Sequence, residues 1–332
     1  MDIKAKYLGY ELQSPFVLSA SPISQNIDNL VKLSDLGIGA IVLYSLFEEQ
    51  LIDEQLELEY HLTHGTESFA EAQSFFPNYD EYRLAPDEYL ELIRTAKAKT
   101  HVPIIASLNG TSLGGWIDYA KEMEEAGADA IELNIYNIPT DFALQSNEIE
   151  DAYVRIFREV KSKVHIPIAA KLSPYFTNFA NFAKRLDYAG ANALVLFNRF
   201  YQPDINIDTL EVEPKVTLSS SADNRVELRW IAMLKGRLNL DLAATGGILT
   251  TNDAIKMLLA GANVAMMFAT FAHNRLDYLT TMINELKQWM IDKEYESVSE
   301  FIGVMSQEKV PNPSAYERAQ YVKALSSYKL NF

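Results

Sequence analysis

The sequence predicts an α/β chain folded as a (β/α)8 TIM barrel, with an N-terminal β-hairpin arm and insertions after strands two and six. Three observations carry this. Short apolar runs alternate with amphipathic stretches along most of the 332 residues. Four of those runs follow a glycine that stops a helix, and four others open a strand without one. Their regular interleaving gives eight strand–helix units in roughly 260 residues, the pattern of a closed parallel barrel. A doubly wound open sheet would show fewer strands and a glycine-rich turn after the first, and SASPISQ (19–25) is no such turn.

Taken in order, residues 2–12 read as the hairpin, turning at Gly9. QSPFVLSAS (13–21) is strand one; proline is tolerated at its entrance because no ladder donor is yet needed there. A helix over 27–36 follows. KLSDLGIGAIVLYS (32–45) ends that helix at Gly37, which can take the left-handed conformation, and runs straight into strand two. The same phrase recurs as EMEEAGADAIELN (122–134), RLDYAGANALVLFN (185–198) and MLLAGANVAMMFAT (257–270), giving strands four, six and eight. HVPIIASLN (101–109), HIPIAAKLS (165–173) and NLDLAATGG (239–247) open strands three, five and seven. Helices are expected at 87–99, 112–126, 148–162, 178–188, 225–235, 251–260 and from about 271, where Leu276, Leu279, Ile283, Leu286, Trp289 and Met290 share a face. Residues 46–86 form an acidic, aromatic insertion after strand two, and 199–224 a small hairpin plus loop after strand six. Insertions after strands fall on the C-terminal face. The barrel is expected over 1–305, with 306–332 as a C-terminal extension packed on it.

Composition narrows the function. Apolar residues make up 48% and charged residues 22%, as in a folded protein with a large core. No run approaches the roughly 20 apolar residues of a membrane span, and MDIKAKYLGY lacks the order of a signal peptide. Zero cysteines excludes disulfides, thiolate metal sites and a cysteine nucleophile. The expected location is the cytoplasm. A net charge of −16 argues against nucleic acid or an anionic membrane as partner.

In a barrel the site is built at the C-terminal ends of the strands. Those positions hold Ser19 and Ser21, Tyr44 and Ser45, Ser107 and Asn109, Asn134, Lys171 and Ser173, Asn198, Thr245 and Thr270. Hydroxyls and amides with one cation suit neither a divalent metal nor paired-carboxylate chemistry, so no metal is expected. They suit an organic molecule with many hydrogen-bonding edges. Thr245, Gly246 and Gly247, before a helix start near Thr251, would expose backbone N–H groups, and FAT (268–270) would add Thr270. Loops after strands seven and eight form the phosphate site of this fold. Alternation puts Lys171 with Ala169 on one face of strand five, and Glu132 with Asn134 on one face of strand four. Three readings stay open for Lys171: a buried ion pair with Glu132, a cation against charge developing on a cofactor ring, or a Schiff-base lysine. His101 and His165 precede strand-opening prolines and belong to the opposite face. His61 and His64, without a nearby third ligand, read as surface residues.

With these residues in hand, the chain resembles the dihydroorotate dehydrogenase family over roughly residues 1–305. SPFVLSAS, IELN, IAAKLSPYF, LFN, ATGGI and FAT look like the family's first, fourth, fifth and sixth strands and its two phosphate turns; YESVSEFIG (295–303) is similar to its C-terminal helix. The resemblance implies a barrel binding FMN across its mouth. The phosphate would lie on Gly246, Gly247, Ala269 and Thr270, and the ring near Ala20, Ser21, Ser45, Asn109, Asn134 and Lys171, with Asn198 and Thr245 completing the pocket. Departures stand beside it. Where the family carries a Cys or Ser base after ELN, this chain has Tyr136 and Asn137. A second family lysine is replaced by Tyr44, and the glycine-rich turn after strand six reads SSSADN (219–224). The expected function is therefore an FMN-dependent oxidoreductase using Lys171, Tyr136 and Asn137 on a small molecule other than dihydroorotate. Alternatives are a Schiff-base lyase acting through Lys171 and a flavin-binding electron-transfer subunit. By analogy with the family, a redox partner protein and a homodimer through 199–224 are also expected.

Overall fold

The computed structural model describes residues 1–51, 86–199, 202–213, 217–318, 320–321 and 326. The chain opens with an antiparallel hairpin, β1 (Ala5–Tyr7) and β2 (Tyr10–Leu12), paired Ala5 to Leu12 and Tyr7 to Tyr10. Its two-residue turn puts Leu8 and Gly9 at positive φ, the geometry that matches strand twist. Eight parallel strands then close a barrel: β3 (Phe16–Leu18), β4 (Ala40–Phe47), β5 (Ile104–Asn109), β6 (Ala130–Asn134), β7 (Ile168–Leu172), β8 (Ala193–Leu196), β11 (Asp241–Thr245) and β12 (Val264–Met267), with β12 pairing back onto β3. This is the (β/α)8 architecture; seven strands fall within their expected windows, and β4 runs on to Phe47, two residues into the region expected to be insertion.

Helices cover the barrel: α1 (Ile27–Leu36), α2 (Pro86–Lys99), α3 (Tyr119–Glu125), α4 (Ser146–Lys163), α5 (Phe179–Tyr188), α6 (Arg225–Leu234), α7 (Thr251–Ala260), the short α8 (Ala269–Asn274), α9 (Tyr278–Asp292) and α10 (Val298–Phe301). Gly37, Gly127, Gly190 and Gly261, the four glycines expected to stop helices, all have positive φ. α9 buries Leu279, Met282, Leu286 and Met290, so it packs on the barrel as its apolar stripe requires. The loop after β8 carries the antiparallel hairpin β9 (Asp204–Asn206) and β10 (Glu211–Glu213). Most of the insertion after β4, with His61 and His64, lies outside the described residues. Beyond 305, buried Gln307 donates its N–H to Ala232 O at 2.9 Å and accepts Arg237 at 2.8 Å, tying that segment to the end of α6. No described helix is long and apolar enough to cross a membrane.

Strand alternation makes two cores. Phe16, Leu18, Ile41, Leu43, Leu133 and Leu172 face the helices, whereas Val17, Val42, Ile105, Ala130, Ala169, Ala193 and Ala243 face the barrel axis. The alanines of that lower interior leave room beside Val17, Val42 and Ile105. The hairpin fills it: Tyr7, Leu8 and Leu12 are buried in the same inner cluster. Leu8 N–H donates to Asp241 Oδ2 at 2.8 Å, and Asn263 bridges Lys6 O and Asp241 Oδ1, which fixes the plug to the strand ends. Burial pushes the Asp241 carboxyl upward, opposed by the Leu8 N–H and by Lys235.

One strand departs from simple alternation. Val42 pairs with Ile105 but Ser45 with Ser107, so β4 holds one extra residue between these pairs. Leu43 and Tyr44 both turn outward, and Tyr44 meets Tyr89 edge-on at 5.0 Å between ring centres. Tyr44 is therefore not on the rim, contrary to the sequence expectation. The N–H that the bulge frees, that of Tyr44, donates to Ser24 Oγ at 2.7 Å; Ser24 in turn donates to Ser21 O at 2.9 Å. This link holds the loop after β3 against β4.

The Tyr7 hydroxyl is buried without a hydrogen-bond partner among the described residues. Tyr7→Phe should leave the urea unfolding free energy unchanged or raise it, because an unmatched hydroxyl is lost. Tyr7→Ala should lower it by about 3–5 kcal/mol by opening the plug.

Candidate active site

Two residues above the apolar inner layer, the same inward parity changes character. Val17 is followed by Ser19, Ile105 by Ser107, Ala130 by Glu132, Ala169 by Lys171 and Ala243 by Thr245. The result is a polar floor at the C-terminal mouth. Lys171 Nζ lies 3.1 Å from Glu132 Oε1, with side-chain exposures of 7% and 1%. Ser45 and Ser107 share a hydrogen bond at 2.8 Å, which the β4 bulge makes possible by turning Ser45 inward. Asn198 donates to Asn134 Oδ1 at 3.0 Å. Glu48, buried just past β4, accepts from the N–H groups of Thr111 (2.8 Å) and Ser112 (3.2 Å) and from the Ser112 hydroxyl, so it clamps the loop after β5.

Above this floor lies a cavity of about 550 Å³, lined by Ala20, Ser45, Asn109, Asn134, Tyr136, Lys171 and Asn198, together with Phe47, Arg199, Gln202, Asp204 and Thr217. Beside it is a smaller cavity of about 210 Å³ walled by Thr245, Gly246, Gly247, Ile248, Phe268, Ala269 and Ser219; Lys171, Asn198 and Arg199 line both. Two joined chambers of this size, polar at one end and glycine-walled at the other, match an elongated organic ligand with a small anionic end.

The glycine wall has a physical reason. Gly246 and Gly247 sit at φ 97° and 63°. A Cβ on Gly247 would stand 2.7 Å from both Asn224 N and Ser220 O, so only glycine lets the turn pass this close to the 219–224 loop. Asn224 Nδ2 donates to Gly247 O at 3.1 Å. The turn leads into α7, capped by Thr250. Asp253 Oδ2 there accepts from Ser221, Thr250 and the N–H groups of Leu249 and Thr250. Burial alone would raise the Asp253 carboxyl, but these donors outweigh it and hold the group below the usual carboxylate range. The Asp253 carboxylate and the Thr250 hydroxyl thus take up the N–H groups that open α7 and fix the turn against it.

Most sequence-selected residues come together here; besides Tyr44, which faces outward, Ser173, Asn137, Ser21 and Thr270 do not. Asn137 lines not the main cavity but a separate groove of about 400 Å³, beside Ile138, Tyr153 and Phe176. Ser21 stands behind Ala20, its hydroxyl buried without a partner among the described residues. Thr270 was expected to end strand eight, but the strand stops at Met267 and Thr270 lies in α8. It is fully buried and its hydroxyl donates to Ile248 O. That hydroxyl joins the two turns rather than facing the cavity. Arg199, Gln202, Thr217 and Ser219 escaped sequence reading because the long loop after β8 has no periodicity to orient them.

Comparison with known proteins agrees with this geometry. The family model described as dihydroorotate dehydrogenase matches residues 84–290. A dihydroorotate dehydrogenase B (NAD(+)) catalytic subunit from Thermoplasma acidophilum is 25% identical over 312 residues, covering 91% of this chain and 98% of that protein. The NAD-dependent dihydropyrimidine dehydrogenase subunit PreA of Escherichia coli is 26% identical over 335 residues, covering 93% and 78% respectively.

Because Glu132 and Lys171 are buried together, removing one partner leaves the other charge stranded. Lys171→Met should cost about 3–5 kcal/mol in urea unfolding, and adding Glu132→Gln should return part of that loss. Additive losses would show that the two side chains do not interact.

Proposed function

The chain belongs to the dihydroorotate dehydrogenase family, and from that premise we propose that it is an FMN-dependent oxidoreductase acting on a small molecule other than dihydroorotate. The observation that carries the cofactor half is the glycine-walled chamber at Gly246–Gly247, where a single added Cβ would strike backbone. FMN, when bound, supplies the two-electron redox chemistry that no side chain of this site can perform. Gly246, Gly247 and Ala269 would hold its phosphate, with Thr270 contributing backbone only. Ala20, Ser45, Asn109, Asn134, Lys171 and Asn198 would border its ring.

Lys171 places a fixed cation at the floor, and its 3.1 Å contact with Glu132 keeps that charge anchored to β6. This ion pair supports a charge-stabilising role over Schiff-base formation. The substrate half reads differently. Tyr136 is the one group of the loop after β6 that lines the main cavity and can exchange a proton, and a phenol hydroxyl is not a general base of the carboxylate or imidazole kind. Without a positioned base, oxidation of dihydroorotate would be slowed by about 10²–10⁴-fold. The family relatives named as subunits support electron delivery to or from a partner protein.

Titrating the purified protein with FMN and with riboflavin tests the reading. FMN should bind and riboflavin should bind more weakly. Gly247→Ala should weaken FMN by about tenfold or more, roughly 1.4 kcal/mol, while leaving riboflavin unaffected. Protein that binds neither flavin contradicts the proposal.

A further inference from the structure

Behind the glycine wall lies an acid that neither the fold nor the redox chemistry requires. Glu227, in the first turn of α6, is only 8% exposed, and its Oε2 has no hydrogen-bond partner among the described residues. Its other oxygen lies against the glycine turn: a Cβ on Gly246 would stand 3.2 Å from Glu227 Oε1. A carboxylate here would face a bound phosphate through a single layer of backbone.

We propose that Glu227 couples anion capture at the Gly246–Gly247 turn to proton uptake, so that the turn holds a phosphate dianion when Glu227 is a neutral acid and rejects it when Glu227 is a carboxylate. The inference rests on the reading of this chamber as a phosphomonoester site. Both acids and bases stand around Glu227. Asp223 precedes α6 and raises the Glu227 carboxyl, and Asp253 at the start of α7 is held by Ser221 and Asn224. Arg199 and Lys171 line the chamber on its far side, while Arg225 and Arg229 of α6 are exposed. Burial is the largest influence on Glu227 and pushes its carboxyl up to about 7, although its own backbone N–H opposes the rise. Below that pH the acid is neutral and presents no charge to the ligand. Above it, binding a phosphate group of charge roughly −2 must first return a proton to Glu227, so affinity falls as pH rises.

Calorimetric titration of the full chain tests this, in two buffers of different ionisation enthalpy near pH ~8, where a phosphomonoester is already a dianion. FMN is the phosphorylated probe and riboflavin the control. The wild-type protein should take up a proton on binding FMN but none on binding riboflavin. Its FMN affinity should fall by up to about tenfold per pH unit above pH ~7. Glu227→Gln should bind FMN without proton uptake and, at pH ~8, more tightly than wild type. Equal proton uptake and equal pH dependence in the two proteins overturn the inference and leave the FMN reading standing. Wild-type protein that binds FMN without proton uptake overturns it whether or not the variant folds. Failure to bind FMN at any pH overturns both readings.

Discussion

A buried lysine needs a counter-charge, and among the described residues Glu132 is the carboxylate paired with Lys171. Glu132 on β6 reaches Lys171 on β7 because Asn134 pairs with Lys171 and Glu132 stands two residues lower on the same inward face. Below the pair the barrel interior is apolar, which strengthens the attraction between the two charges. That is the work of the N-terminal hairpin, whose Tyr7, Leu8 and Leu12 fill an interior lined by small residues. The lower barrel is thus an apolar stopper, and the upper barrel a polar floor whose cation stays in place because of it. Buried ion pairs are poor sources of stability. This one is better understood as a device for keeping charge at the cavity.

From that floor the mouth divides into halves with different chemistry. One half is made of backbone: the Gly246–Gly247 turn, the start of α7 and the loop around Ser220 and Asn224, held together by Asp253 and by the Thr270 hydroxyl. It depends on glycine, because a side chain on Gly247 would strike the backbone of the 219–224 loop. The other half is made of side chains from long loops, including Tyr136, Arg199, Gln202 and Thr217. Loops of this kind can be rewritten without disturbing the barrel, which is how one fold supports different substrates.

Much of this is legible in the sequence. The glycine-stopped helices announce strands two, four, six and eight, and the period-two alternation of IELN and IPIAAK is enough to put Glu132, Asn134 and Lys171 on interior faces. What is not legible shares a cause: each miss occurs where periodicity breaks. The β4 bulge sends Tyr44 outward and Ser45 inward, the reverse of strict alternation. Asn137 sits in an aperiodic loop and lines a different groove from Tyr136. Thr270 extends an apolar run that looks like strand but enters a short helix after Met267. Glu227 sits on an ordinary amphipathic helix, and only the tertiary contact with Gly246, from another βα unit, marks it as unusual.

The central claim is that the cofactor half of the family's site persists while the substrate half has changed. Its most direct test is anaerobic mixing of the FMN-loaded protein with dihydroorotate, following loss of the flavin absorbance beside the Thermoplasma acidophilum relative under the same conditions. The account predicts that reduction is slower by about a hundredfold or more, the cost of a missing base. Bleaching at a rate matching the relative would contradict it.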